Sequence, residues 1–118
     1  MGKPVVYFEI AGRDGEALKE FYGDLFDWKI AHHAPAGSYW YIENVEGGIP
    51  GGIMQTTEEM PPNYVSIYIQ VDDIQACLDK AESLGGKTVV PPTPIPGGMG
   101  HIGVFVDPAG NNIGLHKF

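Results

Sequence analysis

The sequence predicts an α+β fold built from two tandem βαβββ modules. Three observations carry that reading. The chain matches itself without gaps when displaced by 59 residues, half its length of 118. Within each copy the hydrophobic period changes from two to 3.6, as expected for a strand followed by a helix. Short β-rich runs bounded by Gly, Pro, Asn and Asp then complete each copy.

The displacement sets VVYFEIAGRDGEALKEFYGDLFDWKI (5–30) on YVSIYIQVDDIQACLDKAESLGGKTV (64–89). Val6/Val65, Ile10/Ile69, Asp14/Asp73, Ala17/Ala76 and Leu25/Leu84 are identities, and Phe8/Ile67, Leu18/Cys77 and Ile30/Val89 are conservative pairs. The same offset carries Gly51 onto Gly110 and Met54 onto Ile113. A single domain is expected, with module one near 3–56, a linker at 57–63 and module two near 64–118.

In module one, Val6, Phe8 and Ile10 alternate with Tyr7 and Glu9, a half-buried strand. Ala17, Leu18, Phe21, Tyr22, Leu25 and Phe26 follow as a helical stripe. Further strands are expected near 27–33, 38–45 and 51–56. In module two, Val65, Ile67, Ile69 and Val71 alternate with Ser66, Tyr68 and Gln70. Ile74, Cys77, Leu78, Ala81 and Leu84 form the second stripe, which Gly85-Gly86 should cap. Cys77 reads as a small core residue. Strands near 86–90, 100–106 and 112–117 complete the module. PPTPIPGGMG (91–100) reads as a proline-stiffened loop, and Asp107-Pro108-Ala109-Gly110 as a tight turn before the last strand.

Composition narrows the function. The net charge of −8, with seven cations against fifteen acidic residues, offers no basic patch for nucleic acid or anionic membrane. One cysteine excludes an internal disulfide framework and fits a reducing cytoplasm. No apolar run is long enough to span a membrane, and no signal-peptide pattern opens the chain. A soluble cytoplasmic protein is expected.

Each helix should cover the purely apolar face of its strands, which leaves a second face to be explained. That face carries Tyr7, Glu9, Ser66, Tyr68, Gln70, Asn112, Gly114 and His116, joined by Ile53 and Gln55 if the 59-residue offset holds to the end. Tyrosines, a glycine and a histidine with few charges fit the lining of a cleft better than a solvated sheet face. His101, beside the glycine-rich loop, is a rim candidate. Glu9 and His116 are candidate acid–base groups, although a histidine near the chain end is more readily a partly wet surface residue. His32-His33 reads as a strand-end pair, because neighbours on a strand point to opposite faces. Trp28 and Trp40 read as core.

The paired modules, "EFYGDLFDWKI", the "VDD" closing the fifth strand and "GVFVDPAGNNIGL" resemble the vicinal oxygen chelate superfamily of glyoxalases, bleomycin-resistance proteins and extradiol dioxygenases. The resemblance implies an open, curled mixed sheet around a cleft, and a homodimer. It also implies metal ligands, typically His or Glu, at four positions, which fall here at Tyr7, near Gln55, at Ser66 and at Gly114. None of these is a good ligand for a divalent cation. No metal and no other cofactor is therefore expected. The leading expectation is a metal-free protein that binds a small molecule in the sheet cleft, at Tyr7, Glu9, Gln55, Ser66, Tyr68, Gln70, His101, Gly114 and His116. The alternatives are a non-standard enzyme of lyase, isomerase or dioxygenase type, and an accessory subunit with a vestigial cleft.

Overall fold

A computed structural model describes residues 2–33 and 38–118. Two identities of the internal repeat, Asp/Ala at 14/17 and 73/76, have a direct structural meaning. Each aspartate is the N-cap of its helix, with Asp14 accepting from the Ala17 amide (3.1 Å) and Asp73 from the Ala76 amide (3.0 Å). In both copies the strand therefore stops, and the helix starts, by the same device.

The first copy runs β1 (Val5–Gly12), α1 (Gly15–Phe26), β2 (Ile30–His32), β3 (Tyr39–Ile42) and β4 (Gly51–Gln55). The second runs β5 (Asn63–Gln70), α2 (Ile74–Ser83), β6 (Lys87–Pro94), β7 (His101–Val106) and β8 (Asn112–Lys117). The first strands are ordered β2-β3-β4-β1 and the second β6-β7-β8-β5. In each copy the first and last strands pair in parallel and the other pairs are antiparallel. The fold class is the α+β, two-module mixed sheet that the sequence predicts. By contacts the chain divides into two compact units, one of Tyr7–Val65 and one of Ser66–Phe118 with the residues up to Val6. The opening segment is tied to the second unit, where the Gln70 amide donates to the Pro4 carbonyl (3.0 Å).

Each unit has its own core. In the first, Trp40, Ile42 and Ile53 are buried, with Phe8, Leu18, Tyr22, Trp28 and Ile30 packed against them. In the second, Val71, Ile74, Leu78 and Leu115 are buried beneath Ile69, Cys77 and Phe105. Ile53 and Leu78 are both 0% exposed, and such burial contributes about 1.5–3 kcal/mol per side chain. Gly15 opens α1 against Trp40, where a Cβ would overlap the indole. Helix α2 ends as predicted: Gly85 adopts φ 103°, its amide donates to Glu82 (3.2 Å), and the Gly86 amide donates to Ala81 (2.8 Å).

Three expectations change. The stripe on α1 is narrower than its hydrophobic pattern, since Phe21 (58%), Leu25 (57%) and Phe26 (52%) are exposed and only Leu18 and Tyr22 reach the core. On β5 the apolar face is covered only at its end, so Val65 is 73% exposed while Ile69 is packed. Helix α2 packs on β6, β7 and β8 and meets β5 at Ile69. Strand β6 continues through Pro91, Pro92 and Pro94, so the predicted proline loop begins only after Pro94. An outer strand tolerates proline because one row of its backbone groups needs no partner, and the register shifts between Thr88, Val90 and Thr93 absorb the missing donors.

Candidate functional site

The internal repeat holds for β1 and β5 but slips at the last strands. Glu9 lies opposite Gly52 and Tyr68 lies opposite Gly114. The first residues of these pairs stand 59 positions apart and the second 62. The counterpart of Gly114 is therefore Gly52, not Gln55. Because the side-chain period of a strand is two, this slip of three moves Gln55 to the other face. Gln55 serves α1 there, its Oε1 accepting from the Gly15 amide (3.1 Å). Ile53 likewise belongs to the core. Both corrections to the predicted cleft lining have this one cause.

Register assigns the remaining residues. Tyr39 lies opposite Met54 and Tyr41 opposite Gly52, so Tyr7, Glu9, Tyr39, Tyr41, Gly52 and Met54 share one face of the first unit. Trp40 alternates to the core, as predicted, and thereby turns both neighbouring tyrosines to the Glu9 side. The Tyr39 hydroxyl donates to Glu9 Oε2 (3.2 Å) and the Tyr64 hydroxyl to Glu9 Oε1 (3.0 Å). The Tyr7 hydroxyl lies 2.6 Å from that of Tyr39. With the Tyr39 proton directed at the carboxylate, Tyr7 is the donor of that pair. Gly52 makes the cluster sterically feasible. A Cβ there would overlap the Tyr39 hydroxyl and stand 2.6 Å from that of Tyr7.

Glu9 is 6% exposed. Burial pushes its carboxyl above the ordinary value of 4.5, and the hydrogen bonds from Tyr64 and Tyr39 pull back only in part. Burial also pushes Tyr7 up to about 12, opposed by its bond to Tyr39 and reinforced by the charge of Glu9. Tyr64 is raised by burial first and then by the charge of Glu9. All of this cluster lies within Tyr7–Val65. Sequence reasoning found Tyr7 and Glu9 and missed Tyr39, Tyr64 and Gly52. Tyr64 carried a usable signal, since it shares the parity of Ser66, Tyr68 and Gln70.

In the second unit, Ser66, Tyr68, Gln70, Gly114 and His116 share a face, in agreement with the sequence. Gly114 is not an open gap, because a Cβ there would overlap the Tyr68 ring. Ser66 Oγ donates to the Asn112 carbonyl (3.0 Å). His116 Nε2 lies 2.9 Å from the Met99 carbonyl, and its ring meets Phe118 edge to face at 4.6 Å. His116 thus anchors the glycine-rich loop to β8, while Glu9 is engaged by tyrosines of its own unit. His101 lies opposite Lys117, hence on the Leu115 side of β8, and is exposed. It does not share the face of Gly114 and His116.

The donors at the implied metal positions do not fit a divalent cation. Tyr7 stays protonated near neutrality, Gln55 faces the helix, Ser66 is bonded to backbone, and neither Gly114 nor its counterpart Gly52 has a side chain. Among the described residues no group of three or more His, Cys, Asp or Glu side chains converges.

A family profile described as Glyoxalase/Bleomycin resistance protein/Dioxygenase superfamily matches residues 5–115. The chain belongs to that superfamily. CFP32 of Mycobacterium tuberculosis, provisionally named a glyoxylase, is 31% identical over 115 residues, which cover 92% of this chain and 43% of CFP32. The chain thus spans less than half the length of that curated relative. Among solved structures, the Mn(II)-bound glyoxalase of Novosphingobium aromaticivorans superimposes with a TM-score of 0.70 at 19% identity, over 98% of this chain and 38% of that one. Streptomyces coelicolor methylmalonyl-CoA epimerase gives 0.67 at 18% identity, over 98% and 96%. These similarities place the fold within the superfamily. Among the described residues, no helix is long and apolar enough to cross a membrane.

Proposed function

We propose that this chain is a metal-free, small-molecule-binding member of the superfamily, with its recognition centre at Glu9, Tyr7, Tyr39 and Tyr64. One observation carries the reading: a buried carboxylate is held by two phenol donors on a sheet face, two residues along β1 from Tyr7, the position of an implied metal ligand. A polar cluster of this kind lowers stability unless fully matched, so its retention fits a role in binding. The protein acts in the cytoplasm as a homodimer on this reading. Apolar side chains left uncovered on α1 and β5 (Phe21, Leu25 and Val65) support the second copy. No other cofactor enters the reading.

Two measurements test it. Metal analysis and thermal-shift titration with Ni, Zn, Mn and Fe should show neither stoichiometric metal nor a specific stabilisation; a tight one-to-one metal overturns the metal-free state. Ligand binding should be followed through tyrosine ring resonances rather than tryptophan fluorescence, since Trp28 and Trp40 pack in the helix-side core. Saturable shifts confined to Tyr7, Tyr39 and Tyr64 are expected, and a ligand that binds without them sinks the assignment of the site.

A non-standard enzyme is the second reading, favoured by the upward shift of Glu9, which suits a group that accepts and returns a proton. In that case Glu9 removes a proton from carbon and Tyr39 and Tyr64 stabilise the carboxylate between turnovers. Exchange of deuterium from solvent into a carbon acid, lost in Glu9→Gln, would distinguish this reading from pure binding.

A further inference from the structure

We propose that Tyr7 meets the ligand as a hydrogen-bond acceptor, so that the site selects a neutral hydroxyl or amide N–H over a carbonyl. Glu9 sets this preference from behind, through Tyr39, as a positioning residue. The proposal rests on the binding reading above and names the ligand class for that site.

Burial separates the two roles. Glu9 is 6% exposed, whereas Tyr7 and Tyr39 are half-buried, so a ligand reaches phenols before it reaches the carboxylate. What the phenols offer depends on where their protons point. A carboxylate has no proton to give, so both of its oxygens accept. The Tyr39 hydroxyl has one proton and directs it to Glu9 Oε2 (3.2 Å). Its oxygen therefore faces Tyr7, 2.6 Å away, as an acceptor. The Tyr7 proton is committed inwards, and only lone pairs on that hydroxyl are directed to a ligand. A hydroxyl or N–H donor matches them; a carbonyl oxygen meets them head on.

The same geometry says how the preference can be reversed. Glu9→Gln replaces one accepting oxygen by an NH2 donor, which can turn to either phenol. Turned to Tyr64, it would send the Tyr64 proton towards Met54 Sδ at 3.5 Å, a thioether and a weak acceptor. Turned to Tyr39, it would send that proton to the Tyr7 oxygen and keep the short O–H···O bond at 2.6 Å. The second arrangement loses less. Tyr64 then goes on donating to the remaining carbonyl, Tyr39 donates to Tyr7, and the Tyr7 proton is directed at the ligand. Only hydroxyl protons need to move.

Indole, which only donates, and acetophenone, which only accepts, are neutral probes of similar size. Each is titrated calorimetrically into the full chain at mildly alkaline pH, with tyrosine resonances followed in parallel. The ratio of indole to acetophenone affinity should fall at least about tenfold in Glu9→Gln. In a Tyr7→Phe background, Glu9→Gln should leave that ratio unchanged, because the group that carries the preference is gone. Without any probe, Glu9→Gln should shift the hydroxyl-bearing carbon signals of Tyr7 and Tyr39 more than that of Tyr64. A ratio that survives Glu9→Gln would overturn the proposal, as would an equal change of ratio in the Tyr7→Phe background. So would a Tyr7 carbon signal unmoved by Glu9→Gln, whether or not a probe binds. Indole leaving these tyrosines undisturbed where another small molecule shifts them would overturn the ligand class and leave the binding site standing. If no small molecule shifts them, the binding reading fails and the ligand class with it.

Discussion

Glu9 and Tyr68 occupy the same place in the two copies of the module, each on the first strand opposite a glycine of the last. At Gly114 the Tyr68 ring itself lies over the glycine. At Gly52 the cover is made by the Tyr39 and Tyr7 hydroxyls, which bring polar atoms to the Glu9 carboxylate. One backbone arrangement thus serves as a packing surface in one copy and as a polar centre in the other. A missing side chain on a strand is therefore not evidence of open space; what lies over it decides.

The largest effect expected from disturbing this contrast is in the polar copy. Tyr64→Phe removes a donor to a buried carboxylate and should cost about 1.5–3 kcal/mol in denaturant unfolding at neutral pH. A loss near zero would mean that Glu9 is not held as described. Next come the glycines. Gly114→Ala drives a methyl into the Tyr68 ring close to its backbone attachment and should cost about 1–3 kcal/mol. Gly52→Ala meets the far end of the Tyr39 side chain, which can swing away. It should detach Tyr39 from Glu9 and abolish binding, and losing that donor to a buried carboxylate should cost about as much as Tyr64→Phe. Binding left intact in Gly52→Ala would erase the distinction between the copies. Smaller still, Asp14→Ala and Asp73→Ala should each cost about 1 kcal/mol, and nearly equally, because the two caps share one geometry.

The smallest effect near pH 5 is that of Glu9 itself, and it carries a sign. Folding raises the Glu9 carboxyl above 4.5, so the folded chain holds this proton to higher pH than the unfolded one. Its contribution is most favourable below the ordinary glutamate range and is lost as pH rises through the raised value. Glu9→Gln removes that loss and should stabilise the protein increasingly towards neutral pH. Asp107 in the second copy has the opposite sign. Hydrogen bonds from the Asn111 side chain and backbone hold it below its ordinary 3.8, so its contribution is present above that value and fades as pH falls. Chemical denaturation across pH in wild type and Glu9→Gln separates the two; a neutral or destabilising Glu9→Gln would refute the account of burial.

The sequence by itself determined much of this protein. Periods of two and 3.6, the matched Asp14 and Asp73 caps and the Gly85-Gly86 stop are local, and local rules led to two helices and eight strands in the right order. Strand alternation likewise put Tyr7 and Glu9 in the first copy, and Ser66, Tyr68, Gln70, Gly114 and His116 in the second, on the face away from the helices. Tertiary structure decided what depends on register and crossover. The three-residue slip between Gly52 and Gln55 is invisible to a gapless self-match, yet it reverses a face and exchanges a predicted cleft residue for a helix-side one. Tyr39 and Tyr64, far apart in the chain, meet on Glu9 only because β3, β4 and β1 lie side by side and β5 begins within reach of that carboxylate. The exposure of Phe21 and Val65 is a matter of packing that no hydrophobic period encodes. Local chemistry is written residue by residue; the pairing of distant strands is settled by the free energy of the whole fold.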